Sequence, residues 1–212
     1  MIDKKQLLLY AVTDRSWRTA NETLADAVKR ALEGGVTMVQ LREKNMSTAD
    51  FIKSAAEIKR LCRSFNVPLI INDNVEVCIK ADADGVHLGQ NDMDVREARK
   101  LLGSGKIIGI TAKTVEQAAA AENGGADYLG SGAIFGTSTK SDAKKLPPET
   151  LKEITSSVSI PVAAIGGITA ENAARLHGLG IAGAAVVSGI FARDDITAAA
   201  KELKKIMARV AG

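Results

Sequence analysis

A (β/α)8 TIM barrel, one domain over residues 1–212, is the fold class that the sequence predicts. Three observations point to it. Short apolar runs of strand length alternate eight times with segments of helical period. Alternating β and α elements imply a parallel sheet with helices outside it. Several runs end in a compact polar group, as strand ends at a barrel mouth do. The glycine-rich groups come late, where such barrels place phosphate sites after strands 7 and 8. An open doubly wound sheet, the rival, carries its glycine fingerprint after the first strand, but there the chain reads Thr13-Asp14-Arg15.

Each element has its own local reason. Leu7 to Val12 is a continuous apolar run bounded by polar residues, the pattern of a buried strand. Leu24, Val28, Ala31 and Leu32 repeat at helical spacing until Glu33-Gly34-Gly35, where glycine accepts the left-handed conformation past a helix end. Val36 to Leu41 is the second strand. Ser47 or Thr48 caps a helix with the stripe Phe51, Ala55, Ile58 and Cys62. Pro68 ends it and starts the third strand, to Asn72. A short helix over about 75–81 precedes a strand at 85–88. Asp94 opens a helix carrying Val95, Ala98, Leu101 and Leu102.

Ile107 to Thr111 is the fifth strand, and the helix from Thr114 stops at Gly124-Gly125. Tyr128 to Ser131 is the sixth. A long loop over 132–147 leads to a helix at Pro147-Pro148, and its length and Gly, Ser and Thr content suggest a lid over substrate. Ile160 to Ile165 is the seventh strand, after which Thr169 caps a helix. Ala184 to Ser188 is the eighth, and a closing helix shows Ile196, Ala199, Leu203, Ile206 and Val210.

Composition narrows the function classes. Aromatic residues are only 3%, leaving few rings to stack on nucleic-acid bases. The net charge is +3 with pI about 8.8, and basic and acidic residues alternate without a block, so no nucleic-acid partner is expected. Cys62 and Cys78 sit in apolar helical patterns and read as small buried hydrophobes. They offer no metal-ligand spacing or disulfide framework, which fits a cytoplasmic protein. Ile181 to Ala192, the longest apolar run, is too short to span a membrane, so no membrane partner is expected.

The polar groups at the strand ends carry the chemistry. Gln40, Arg42 and Lys44 alternate along strand 2, and residues two apart share a face. Asp73 and Asp92 end strands 3 and 4, neighbours in a barrel. Two such carboxylates can share one divalent ion, since Mg²⁺ takes one or two carboxylates and completes its shell with phosphates and water. Their bland alternative is to cap the helices that follow. Lys140 closes the turn Thr137-Ser138-Thr139-Lys140. Gly166-Gly167 and Val187-Ser188-Gly189 place glycines where backbone N–H groups can approach an anion. His87, inside strand 4, reads as a structural histidine, and His177 as a surface residue. Cations and a metal without an obvious general base suit departure of a phosphate group.

These groups resemble the motifs of the thiamine-phosphate synthase family, over about residues 7–192. They are Gln40-Leu41-Arg42-Glu43-Lys44, Ile71-Asn72-Asp73, the segment from Gly85 to Asp92, Thr137 to Lys140, Ile165 to Ile168 and Val187 to Gly189. The resemblance implies a transferase that couples 4-amino-2-methyl-5-(diphosphooxymethyl)pyrimidine to a (carboxy)thiazole phosphate and releases diphosphate by a dissociative route. It implies that Gln40, Leu41, Arg42, Glu43, Lys44, Asn72, Thr111 and Lys140 hold the pyrimidine diphosphate. Thr137, Ser138, Thr139, Gly167, Val187 and Ser188 would hold the thiazole phosphate, and Asp73 and Asp92 one Mg²⁺ per subunit. Arg42, Lys44 and Lys140 would be catalytic. The partners are then two small phosphorylated substrates, and a homo-oligomer is compatible with the sequence. Two positions depart from the family pattern: Thr111 and Lys113 stand where serine and histidine are usual, and Phe135-Gly136 replaces Phe-Pro. A related ring isomerase would use a histidine near position 113. A non-catalytic sensor of a phosphorylated ligand is the alternative from another class.

Overall fold

The computed structural model describes residues 2–17, 22–136 and 145–211. Eight parallel strands pair in sequence order and close on themselves, β8 returning to β1. They are β1 (Leu9–Val12), β2 (Met38–Leu41), β3 (Leu69–Asn72), β4 (Gly85–Leu88), β5 (Ile107–Thr111), β6 (Tyr128–Gly132), β7 (Val162–Ile165) and β8 (Gly183–Val186). The expected (β/α)8 barrel is therefore the observed one.

Two apolar layers follow from the two-residue period of a strand. One parity of residues, Leu9, Ala11, Val39, Leu41, Leu69, Ile71, Val86 and Leu129 among them, faces the helices and joins the larger core. The other parity turns inward: Tyr10, Val12, Met38, Ile70, Tyr128, Ala163 and Ala185 fill the barrel. Ile2 and Leu7, just ahead of β1, join this inner cluster and close the N-terminal end. Small residues on one side make room for large ones on the other. A Cβ on Gly109 would lie 2.1 Å from Cζ of Tyr128, so β5 must carry glycine there.

The outer helices are α1 (Leu24–Glu33), α2 (Thr48–Ser64), α3 (Val75–Lys80), α4 (Val95–Leu102), α5 (Val115–Asn123), α6 (Pro148–Ser157), the short α7 (Ser188–Phe191) and α8 (Ile196–Val210). Their starts obey local capping chemistry. Ser47 rather than Thr48 caps α2, accepting from Asp50 N–H at 3.2 Å. Thr114 caps α5 and Asp94 caps α4. The α2 stripe of Phe51, Ala55, Ile58 and Cys62 is buried as its spacing predicts.

Three expectations need correction. The helix expected from Thr169 is only a 3-10 turn, Ala173–Leu176. The Asn172 side chain bonds back to Thr169 N–H and Gly167 O instead of capping a helix, and Gly178 and Gly180 follow with positive φ. The eighth strand ends at Val186 instead of Ser188, because Ile190 and Phe191 N–H both bond to Val187 O and start α7. Leu101 is 55% exposed. Arg99 turns inward instead, bonding Gly125 O at 3.1 Å and Asp127 at 2.5 Å.

Candidate active site

The C-terminal strand ends form one mouth, and its best-defined wall is β2. Gln40 shares the inward face with Met38, and Arg42 continues the same parity. Arg42 is only 9% exposed. Its backbone N–H donates to Thr13 Oγ1 at 3.0 Å, which ties the end of β2 to that of β1. Its guanidinium Nη1 lies 3.8 Å from Asp14, beyond hydrogen-bond distance, and Nη2 is buried with no partner among the described residues. A buried guanidinium nitrogen without an acceptor is costly. The arrangement suits an anion that arrives from outside. Lys44 is exposed, two residues on. Glu43 turns the other way and holds Arg15 Nε at 2.6 Å, while Arg15 Nη2 donates to Ser54 at 3.2 Å. Arg15, Arg42, Lys44 and Asp14 share an open cleft of about 700 Å³.

Asp73 and Asp92 follow on the next two strands. The bland alternative for them fails on inspection of the caps: Asn74 caps α3 through Val77 N–H at 2.9 Å, and Asp94 caps α4. Asp73 instead adopts φ +62°, a left-handed conformation uncommon for a residue with a side chain, and is exposed. Its N–H bonds to His87 O at 2.8 Å, which fixes it beside β4. Asp92 is also exposed, and one of its oxygens accepts from Gly89 N–H at 2.6 Å. The other oxygen makes no hydrogen bond among the described residues. Asn66 and Asp82 take the same left-handed conformation in turns away from the mouth, so it is the position of Asp73 beside β4, not its φ, that marks it. Two hard oxygen donors on adjacent strands suit a hard cation that takes further oxygens from substrate and water. No group of three or more metal-ligating side chains occurs among the described residues.

Beneath this wall lies a polar floor. Gln40 Nε2 donates to the Tyr10 hydroxyl at 2.5 Å, and the Tyr10 and Tyr128 hydroxyls are 2.8 Å apart. Tyr128 meets His87 Nδ1 at 3.0 Å, and His87 Nε2 meets Thr111 Oγ1 at 3.0 Å. Thr111 O accepts from Gln90 Nε2 at 2.7 Å. Burial raises both phenol pKa values well above the usual tyrosine range, so both stay hydroxyls. His87 is thus tied by both nitrogens inside the barrel, in keeping with the structural role its position predicts.

The opposite wall comes from β6 to β8. Gly166 and Gly167 both have positive φ, and a Cβ on Gly167 would lie 2.1 Å from Gly136 O. Only glycine lets these two chains lie so close. Ile134 and Phe135 N–H bond to Ile165 O and Gly166 O at 3.0 Å each, extending the β6–β7 pairing toward the mouth. Val187 and Ser188 sit where β8 passes into α7, half-buried, with the first-turn N–H groups of Ser188 and Gly189 directed out of the helix start.

The residues singled out from sequence thus divide. Gln40, Arg42, Asn72, Asp73, Asp92, Thr111, Gly167, Val187 and Ser188 lie at or just beneath the C-terminal strand ends. Leu41 points outward into the helix layer, so only its backbone can face the mouth. Thr137, Ser138, Thr139 and Lys140 lie outside the described residues, as does half of the expected lid. His177 is exposed after the 3-10 turn. Sequence reasoning missed Tyr10 and Tyr128. Their signal was a polar-tipped residue inside an inward-facing strand, with glycines at 109 and 130 opposite to admit rings.

Comparison with known proteins gives a consistent picture. A family model described as thiamine monophosphate synthase matches residues 9–190. The thiamine-phosphate synthase of Ruminiclostridium cellulolyticum is 48% identical over 97% of this chain and 98% of that protein. That of Clostridium acetobutylicum is 49% identical over 89% of each. Among solved structures, thiamine phosphate pyrophosphorylase from Pyrococcus furiosus superposes with a TM-score of 0.90 at 38% identity, covering 99% of both chains.

Proposed function

The chain belongs to the thiamine monophosphate synthase family, and on that premise we propose how its barrel mouth divides the work of making thiamine phosphate. The activity is that of a transferase in thiamine biosynthesis. The substrates are the aminopyrimidine diphosphate and a thiazole phosphate, and the leaving group is diphosphate. The β2–β5 half, with Lys140, takes the pyrimidine diphosphate. The β6–β8 half, with Thr137 to Thr139, Gly167, Val187 and Ser188, takes the thiazole phosphate.

The observation that carries this assignment is Arg42, a buried guanidinium whose Nη2 has no partner among the described residues. Diphosphate gains charge as its bond to the pyrimidine methylene breaks. Arg42 meets that charge with a donor already in place, and Lys44 and Lys140 add positive charge; removing one such group typically costs about 10²–10³ in rate. Asp73 and Asp92 fit Mg²⁺, one per chain, because both are exposed carboxylates and neither caps a helix. When bound, the ion supplies positive charge to the departing diphosphate oxygens. Gln40, Asn72 and Thr111 orient the pyrimidine ring. The thiazole nitrogen then captures the methylene cation from the opposite wall. Glu43 acts at one remove, holding Arg15 beside the cleft.

Among the described residues no helix is long and apolar enough to cross a membrane. We take the whole chain as one catalytic unit that meets its small substrates in the cytoplasm. The test mixes both substrates with Mg²⁺ and follows diphosphate and thiamine phosphate together. Equal amounts of both are expected. Tight thiazole phosphate binding with neither product would favour a phosphate-ligand sensor instead.

A further inference from the structure

We propose that Tyr10, Tyr128 and His87 are positioning residues that lock the hydrogen-bonding polarity of Gln40 to that of Thr111. The inference rests on the reading of Gln40 and Thr111 as pyrimidine contacts. The two residues stand on β2 and β5. What joins them is an unbroken chain of four hydrogen bonds through the barrel: Gln40 to Tyr10 (2.5 Å), Tyr10 to Tyr128 (2.8 Å), Tyr128 to His87 Nδ1 and His87 Nε2 to Thr111 (3.0 Å each).

Proton counting fixes the direction. A phenol has one proton to donate, and a neutral imidazole has one donor and one acceptor nitrogen. Tyr10 receives the Gln40 Nε2 proton and therefore gives its own to Tyr128. Tyr128 gives its proton to His87 Nδ1, which puts the imidazole proton on Nε2, and Nε2 donates to Thr111 Oγ1. The ends are then complementary. Gln40 keeps its Oε1 as an acceptor and its second Nε2 proton, and the Thr111 hydroxyl keeps its proton as a donor. Turning the Gln40 amide over reverses every link, so that Gln40 donates and Thr111 accepts. What the chain ties together is therefore the Gln40 amide orientation and the Thr111 hydroxyl, which donates when Nε2 faces Tyr10 and accepts when the amide is turned over.

The fold is built around this chain. Tyr10 is 1% and Tyr128 0% exposed, so their hydroxyls have no water to substitute for a lost partner. Their rings meet edge to face at 5.9 Å between centroids. Gly109 makes space for Tyr128, and a Cβ on Gly130 would lie 3.0 Å from His87 Cε1. Raised phenol pKa values keep both tyrosines as donors. A ligand that offers one acceptor and one donor, as an aminopyrimidine edge does, meets a pair already set to receive it.

The chain has two histidines and two tyrosines, so the test is direct. ¹⁵N-histidine spectra of the ligand-free protein, with His177→Gln for assignment, should show His87 protonated at Nε2 and not at Nδ1. A proton on Nδ1, or on both nitrogens, overturns the proposed polarity whatever the enzyme does. In kinetics, Tyr128→Phe cuts the chain without touching either end. Its KM for the pyrimidine diphosphate should rise about tenfold, the effect of one net hydrogen bond, while the KM for thiazole phosphate stays within twofold. Tyr10→Phe breaks the next link and should do the same, and it carries the test if Tyr128→Phe does not fold. Unchanged pyrimidine KM in a folded variant, or equal changes in both KM values, overturns the proposal. Diphosphate release by the unaltered chain tests the underlying reading separately.

Discussion

Arg42→Met separates what the mouth does for folding from what it does for substrate. Arg42 is buried, its Nη1 is 3.8 Å from Asp14, and its Nη2 has no partner among the described residues. In the ligand-free protein the guanidinium has lost its water without gaining full compensation. Asp14 does not depend on it, because Ser16 N–H donates to its Oδ1 at 2.9 Å. Exchanging a whole buried ion pair for apolar residues is commonly neutral or stabilising, by up to about 4 kcal/mol; with only a 3.8 Å contact to Asp14 to lose, Arg42 is expected to follow that sign, by about 1–3 kcal/mol. An unfolding entropy of about 2.1 cal/mol/K per residue over 212 residues gives about 0.45 kcal/mol/K. The expected rise in Tm is therefore about 2–7 °C, in phosphate-free buffer. Turnover should fall by about 10²–10³. Saturating diphosphate, at a hundred times its Kd, should stabilise the unaltered chain by about 2.7 kcal/mol, or about 6 °C, and the variant by much less. Differential scanning calorimetry beside a diphosphate-release assay measures all three. A Tm that drops several degrees would show that the guanidinium serves the fold, and a turnover loss below tenfold would remove it from the reaction.

Three further substitutions and reagents probe the same structure. Gly109→Ala drives a Cβ to 2.1 Å from a Tyr128 ring held by two hydrogen bonds, so urea unfolding should show a loss of about 3 kcal/mol; a loss under 0.5 kcal/mol would contradict the packing. Asp73→Gly relieves the φ of +62° and should leave Tm unchanged or higher, yet lower turnover at least about a hundredfold; normal turnover would exclude Asp73 from the metal site. Burial raises the thiol pKa of Cys62 to about 12 and of Cys78 to about 11. Both should resist a disulfide reagent at pH 8 until the chain unfolds. Because these folded pKa values are raised, their contribution to stability is complete below about pH 8.5 and is lost as pH rises toward 11–12. Rapid labelling of either thiol in the native state would refute their burial.

Much of the fold was legible because its signals are local. Helix starts at Ser47, Asp94 and Thr114 depend on one side-chain oxygen and an N–H two or three residues on. The strand ends carried the mouth for a similar reason: a polar group closing an apolar run has few other places to go. What the sequence left open depended on competition between neighbours or on distant partners. In Asn72-Asp73-Asn74 any member could cap α3, and only the structure shows that Asn74 does and Asp73 does not. The turn after Thr169 looked like a helix start, but Asn172 turns its side chain back to Thr169 N–H and Gly167 O, and only a 3-10 turn forms. Tyr10 read as one more apolar residue in its run. Its partner Tyr128 is 118 positions away, a pairing set by barrel closure alone.

The central claim is that one anion site spans Arg42 and the carboxylates of Asp73 and Asp92. A crystal structure with Mn²⁺, diphosphate and thiamine phosphate tests it most directly, because Mn²⁺ replaces Mg²⁺ and scatters anomalously. The account predicts one anomalous peak, with carboxylate oxygens of both Asp73 and Asp92 at about 2.1–2.2 Å. It also predicts a diphosphate oxygen within hydrogen-bond distance of Arg42 Nη2. A peak bound elsewhere, or a diphosphate that leaves Arg42 Nη2 without an acceptor, would contradict it.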